Sequence, residues 1–275
     1  MSLENKMKFA SLSALVALSL SSEDLGASTK YANLGTPKIG YVQKVNDHNF
    51  RNVQIAPKDD KDFNKNLIGR IQRTERWANI IRVAEEKAKI PKDTIYAIIM
   101  NESYGDILQP NATGDGGIGL IHFQPGTARA YGLEILGHSN KQGRDLRHGK
   151  DIKKMLEDCR YDLGCAVEYD DRIHPVIIVD AIVRYLKDGY ARKGTWQGAV
   201  QTINPGQKSY SRKIFRYRDA IKKLKPLAEK DFNQRNKGKI DGLGHQITYR
   251  HYIDTFWQVN DKNFELAKYS SMKRW

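Results

Sequence analysis

A chain of 275 residues with 40% hydrophobic content is long enough for one sizeable core, with room for no more than a small second lobe. Its aromatic content argues against wholesale disorder. A formal charge of +14 and a pI near 9.6 favour polyanionic surroundings, whether nucleic acid, anionic membrane or anionic cell wall, without choosing among them.

Lys6 and Lys8 precede an apolar run from Phe9 to Leu20, followed by the small residues Gly26, Ala27 and Ser28. A charged start, a short apolar stretch and a small-residue end are the pattern of a secretory signal peptide over residues 1–27. The run is shorter than the roughly 20 residues that cross a bilayer. The competing reading is an N-terminal helix packed on the core. Met7 serves equally well as the start, since the pattern is complete without the residues before it. Export to the periplasm or cell envelope changes the meaning of the charge. A nucleic-acid partner is not expected, because such proteins usually stay inside and no helix-turn-helix, RRM or zinc-finger pattern is visible.

Residues 28–70 are mixed and polar, with Gly35, Pro37, Gly40 and Pro57, and read as a linker or extended arm. From Ile71 to Ile90 the period turns helical, with Trp77, Ile80, Ile81 and Ala84 on one face and Pro91 closing it. Thr94–Ser103 is a second, strongly apolar helix. Residues 104–127 are rich in glycine and proline, the composition of a shaped loop at a binding site. Further helices are expected over Asp151–Cys159, over Val176–Lys187 behind Pro175, over Trp196–Thr202 and over Lys208–Leu227. Residues 228–275 form an extension whose aromatics (Tyr249, Tyr252, Phe256, Trp257 and Phe264) predict packing onto the domain of residues 71–227. Few segments alternate with period two, so the fold class is mainly α.

Cys159 and Cys165, six positions apart, are too few for a zinc site and read in an exported protein as a small disulfide loop, against two free buried thiols. The basic run of Lys208, Arg212, Lys213, Arg216, Arg218, Lys222, Lys223 and Lys225 is either a solvated helix face or a patch attracted to an anionic wall or membrane surface.

Glu102 carries the chemistry. It continues the stripe of Ile95, Ile98 and Ile99 on its helix and is followed by the glycine-rich loop. A carboxyl aimed at the core side is expected to be buried, and burial raises its pKa so that it can donate a proton near neutrality. The bland alternative is a helix-end residue bent toward water.

Glu102-Ser103, then Gly116-Gly117-Ile118-Gly119-Leu120, then Pro125-Gly126-Thr127-Ala128, resemble the motifs of the lytic transglycosylase domain. Downstream, Ile182–Leu186, Trp196, Ala199, Asn204-Pro205-Gly206 and the segment Tyr210–Tyr217 resemble its later helix, turn and basic aromatic segment. The resemblance covers roughly residues 72–220, and it is the order and spacing of several motifs together that make it specific. It implies a lysozyme-like helical domain with a glycan-binding cleft. It also implies cleavage of the β-1,4 bond between N-acetylmuramic acid and N-acetylglucosamine in peptidoglycan, with a 1,6-anhydromuramoyl product. Glu102 would serve as acid and then base, and Ser103, Thr113, His122, Gln124, Asn204, Tyr210 and Tyr217 would contact the sugars. No metal or other cofactor is implied. The partner is the peptidoglycan glycan strand, and the arm and tail could dock on a larger cell-envelope assembly.

The chain departs from the family where His122 replaces a glutamine and Ile203 a tyrosine. A non-catalytic, wall-binding relative therefore stays open. Asp115 resembles the acidic position of goose-type lysozymes, which hydrolyse the same bond with water. Its other reading is a turn residue ahead of Gly116.

Overall fold

One helix expected between Ile71 and Ile90 is in fact two, broken by a tight turn, and the first of them begins earlier. In the computed structural model the described residues are 53–56, 63–241 and 244–254. The signal-peptide expectation, most of the arm, and Phe256, Trp257 and Phe264 lie outside them. Helix α1 is Phe63–Thr74, a 3₁₀ turn covers Glu75–Trp77, and α2 is Ala78–Ala88. The boundary set at residue 70 between linker and domain is thus corrected. Leu67 and Ile71 of α1 are buried, because α1 packs along the last long helix of the chain. Trp77 is fully buried at the turn, and its indole N–H donates to the Gly105 carbonyl at 2.9 Å.

Helix α3, Thr94–Glu102, is the centre of the domain. Every residue from Thr94 to Met100 is buried, against α1, α2 and the last long helix. A helix apolar on all sides is a core helix. Its start is held by Glu85 of α2, whose buried carboxyl accepts the backbone N–H groups of Asp93 at 2.7 Å and Ile95 at 2.6 Å. These are among the N–H groups that a helix cannot satisfy internally.

After the glycine-rich loop come α4 (Pro125–Ala130), α5 (Leu146–Asp158, capped by the Asp145 carboxylate) and the one-turn α6 (Leu163–Ala166). Between α5 and α6 the Cys159 and Cys165 sulfurs are bonded, with Cα atoms 5.6 Å apart. A 3₁₀ turn at Asp171–Ile173 leads into α7 (Pro175–Lys193), which ends at Gly194 in the left-handed conformation. Then follow α8 (Trp196–Gln201) and α9 (Tyr210–Arg235).

Helix α9 corrects a second boundary. It does not stop near Leu227 but runs through Pro226 for more than two further turns. Proline offers no N–H to the Lys222 carbonyl and normally kinks or ends a helix. Burial of Ala228 and Phe232 beyond it accounts for the continuation. The expected aromatic packing of the extension is present in part. Tyr249 and Tyr252 stand with their ring centroids 5.1 Å from that of Phe232, and with Ile247 they form a small second core. Val53 and Ile55 pack on the same cluster. The Asn236 side-chain amide, fully buried, accepts the Gln54 N–H at 2.8 Å and donates to the Gln54 carbonyl at 2.9 Å.

The described residues are therefore mainly helical, about 60%, with no strands and two isolated bridges, Ile118–Phe123 and Ile240–Gln246. None of their helices is long and apolar enough to cross a membrane.

Candidate active site

Core burial fades at the last turn of α3, and Glu102 emerges there half-buried rather than fully buried. The isoleucine stripe did not determine this, since all faces of the helix are covered up to Met100. Glu102 Oε1 accepts the Tyr210 hydroxyl at 2.6 Å and the Asn101 side-chain N–H at 2.9 Å. No hydrogen bond engages Oε2 among the described residues. Tyr210, the first residue of α9, is itself buried. Burial, the Glu102 charge and their hydrogen bond push its pKa well above the ordinary phenol value. It therefore stays protonated and donates. The carboxyl is gripped by one oxygen and left with the other available.

A buried guanidinium shapes the loop opposite. Arg172 is fully buried and pairs with the fully buried Asp170 at 2.7 Å. Its Nη1 donates to the carbonyls of Gly116 at 2.8 Å and Phe123 at 2.9 Å. Its Nη2 meets His148 Nε2 at 2.8 Å. Burial first, and then the Arg172 charge, lower the His148 pKa, so the imidazole is neutral and accepts. Gly119, at φ +83°, lies so close to the Arg172 carbonyl that a Cβ would sit 2.0 Å from its oxygen. That position admits only glycine.

The clamped loop carries His122 at φ +50°. Its Nε2 lies 2.9 Å from the Gln109 carbonyl and so carries the proton, which leaves Nδ1 as acceptor in the neutral ring. Burial lowers the His122 pKa against the upward pull of the nearby Glu102 carboxylate. His122 and Glu102 thus share one electrostatic neighbourhood.

Asp115 is occupied by its own turn. Its Oδ1 accepts the Gly117 N–H at 3.1 Å and its Oδ2 the Asn111 side-chain N–H at 2.9 Å. Burial pushes its carboxyl up, but hydrogen bonds from Gln124, Gly117 and Thr113 outweigh this and hold it below the ordinary value. Thr113 and Gln124 therefore serve Asp115. The Gln124 Oε1 is buried without a hydrogen-bond partner among the described residues.

The remaining expected contacts divide. Ser103 is buried and donates to the Ile99 carbonyl at 3.4 Å, so it ends the helix rather than facing a ligand. Asn204 is exposed, and its Oδ1 accepts the Gln207 N–H at 3.2 Å within the α8–α9 turn. No described hydrogen bond brings Asn204 to Glu102. Tyr217 is buried and lines, with Ser209, Arg212, Lys213 and Arg216, a concavity of about 400 Å³ on α9. Glu102 is not part of that lining, so an elongated groove with Glu102 at its floor is not what this concavity provides.

Sequence reasoning missed three neighbours. Arg70, buried on α1, donates to the Met100 carbonyl at 3.3 Å and lies 4.2 Å over the Tyr104 ring. Lys213, with its pKa lowered by burial and by Arg70, feels Glu102 as the opposing attraction. Asn101 fixes the carboxyl from the adjacent position. Adjacency to Glu102 could have flagged Asn101, whereas Arg70 sits in a stretch read as linker. The site brings together a carboxyl with one free oxygen, a neutral imidazole and two cations, an arrangement suited to proton transfer on a polar substrate. Among the described residues, side chains grouped as metal ligands are found elsewhere, within residues 241–251. No protein-family model matches the chain, and no curated protein or solved structure is a match to it.

Proposed function

We propose that the protein is a lytic transglycosylase of peptidoglycan, with a lysozyme-like domain and Glu102 as its acid and base. The observation that supports this best is the grip on Glu102. With Oε1 held by Tyr210 and Asn101, Oε2 is the atom that meets the substrate. In its protonated form the carboxyl gives its proton to the glycosidic oxygen as the bond from the muramoyl C1 breaks. The resulting carboxylate takes the proton of the muramoyl 6-hydroxyl as O6 bonds to C1, which closes the 1,6-anhydro ring and restores the acid.

One carboxyl suffices because the nucleophile belongs to the substrate, whereas most glycoside hydrolases use a pair. Asp115 is committed to the Asn111–Gly117 turn, which favours this route over water attack by a goose-type mechanism. Lys213, Arg212 and Arg216 give the adjoining concavity the positive charge that an anionic wall polymer would meet. Export to the periplasm or envelope belongs to the same proposal, and N-terminal sequencing of the mature protein tests it.

Digestion of purified peptidoglycan followed by mass spectrometry tests the activity. Anhydromuramoyl ends are expected. Reducing ends would move the assignment to a hydrolytic muramidase, and an absence of products would leave a binding protein. Glu102→Gln keeps size and hydrogen bonding but delivers no proton, so cleavage should fall at least about 10²-fold.

A further inference from the structure

Three side chains at the far end of α9, remote in sequence from Glu102, converge as metal ligands do. Residues 239–241 pair with residues 245–247. The Ile247 N–H reaches the Lys239 carbonyl at 3.0 Å, and the Asp241 N–H the His245 carbonyl at 2.9 Å. Asp241 Oδ1 accepts the His245 backbone N–H at 2.9 Å, which fixes the carboxylate and turns Oδ2 toward two imidazoles. His251 Nε2 lies 2.8 Å from that oxygen and His245 Nδ1 3.4 Å from it. The three atoms all fall within 4.8 Å of one another.

We propose that Asp241, His245 and His251 form a binding site for a divalent transition-metal ion, which locks the paired segments 239–241 and 245–247 to the short helix of residues 249–254. The inference is independent of the proposed activity.

The geometry suits zinc. Zinc bonds of about 2.0–2.2 Å to nitrogen and carboxylate oxygen, arranged tetrahedrally, place neighbouring ligand atoms about 3.3 Å apart. The two measured separations from Oδ2 bracket that value. Two imidazoles and one carboxylate favour zinc, copper or nickel over calcium or magnesium, which take oxygen ligands. The Oδ1 hydrogen bond is the outer support that such ligands need to hold their orientation. The Asp241 side chain is 9% exposed and that of His245 62%, so the anchor is sheltered while one side stays open to solvent for entry and for a water as fourth ligand. Tyr249, between the two histidines, and Tyr252, next to His251, are already packed on Phe232, so little reordering is needed to close the site.

The test is titration of the full chain, stripped with EDTA, with zinc chloride by calorimetry. One zinc ion per chain is expected. His245→Ala and His251→Ala should each weaken binding at least about tenfold, and His138→Ala, a replacement of an exposed histidine elsewhere, should not. In the unmodified protein, zinc should move the imidazole NMR signals of His245 and His251 before those of any other histidine, a readout that does not depend on a variant folding. Zinc should also slow tryptic cleavage after Lys239 and Arg250 in the unmodified chain but not in His245→Ala. An absence of zinc binding, binding undiminished in both variants, or first shifts at other histidines would overturn the site. Cleavage rates unchanged by bound zinc would overturn the locking role.

Discussion

Replacing Arg172 by methionine removes a charge from a place where it has no substitute. Asp170, fully buried, would lose the bond from Arg172 Nη2 at 2.7 Å and that from Nε at 2.9 Å. It would keep only the backbone N–H groups of Arg172 at 3.0 Å and Leu136 at 3.2 Å. Stranding one partner of a buried ion pair costs about 3–5 kcal/mol. The Gly116 and Phe123 carbonyls lose their donor as well, at about 1 kcal/mol or more each. A total of about 5–7 kcal/mol is a large part of the 5–15 kcal/mol by which domains are usually stable. Urea unfolding followed by circular dichroism reads the loss directly. Adding Asp170→Asn to Arg172→Met removes the stranded charge and should recover about 2 kcal/mol. If the single variant loses less than about 1 kcal/mol, or if the second change deepens the loss additively, the guanidinium is not the clamp of the 116–123 loop.

The Glu85 carboxyl is raised from 4.5 to about 7 by burial, against the backbone N–H groups that favour its charge. A raised folded pKa gives stability that is complete below pH 4.5 and lost as pH climbs through 7, by about 3 kcal/mol from this group. His148 and His122, with lowered values, act in the opposite sense and cost stability below the ordinary histidine value of 6.5. The difference between wild type and Glu85→Gln, measured by urea unfolding from pH 4.5 to 8, should isolate the first effect as a slope present only in wild type. Tyr210→Phe removes a charge-assisted hydrogen bond worth about 1.5–3 kcal/mol and should slow peptidoglycan cleavage about 10-fold or more with the fold intact; unchanged turnover would detach Tyr210 from the reaction. Gly119→Ala meets both a positive φ and the Arg172 backbone, and should lower stability by at least about 2 kcal/mol in thermal or urea unfolding.

The elements legible in sequence were those with strong local signals. Pro175 opens α7, and Pro91 stands between the end of α2 and the start of α3 at Thr94. The misread boundaries are tertiary in origin. Leu67 belongs to a helix because α9 packs along α1, and polar neighbours disguise its period. Pro226 signals a stop that the burial of Phe232 overrides. Glu102 was located by its neighbours in the chain, yet its depth was not, because a helix buried on every side has no informative stripe. The Asp170–Arg172–His148 clamp left no pattern at all. Its members are 24 positions apart at most, and nothing in Asp-Asp-Arg-Ile-His distinguishes a buried hub from a surface turn. The disulfide spacing, by contrast, is a local quantity, and the bonded pair lies where that spacing put it.

The two bonds between Gln54 and Asn236 join positions 182 residues apart. Contacts so distant in sequence close a long loop and form late in folding, after the helices between them have found one another. A chain made from its N-terminus outward has Gln54 in hand early and Asn236 only after all of α9 has been added. Through most of synthesis Gln54 therefore lacks the Asn236 amide, whereas Ala56 finds the nearby Gln72 side chain, to which its N–H donates at 2.8 Å, as soon as α1 is made. The Ala56 end of the segment is fastened early and its Gln54 end among the last, so whatever handles the N-terminal region before then meets it held at one point only.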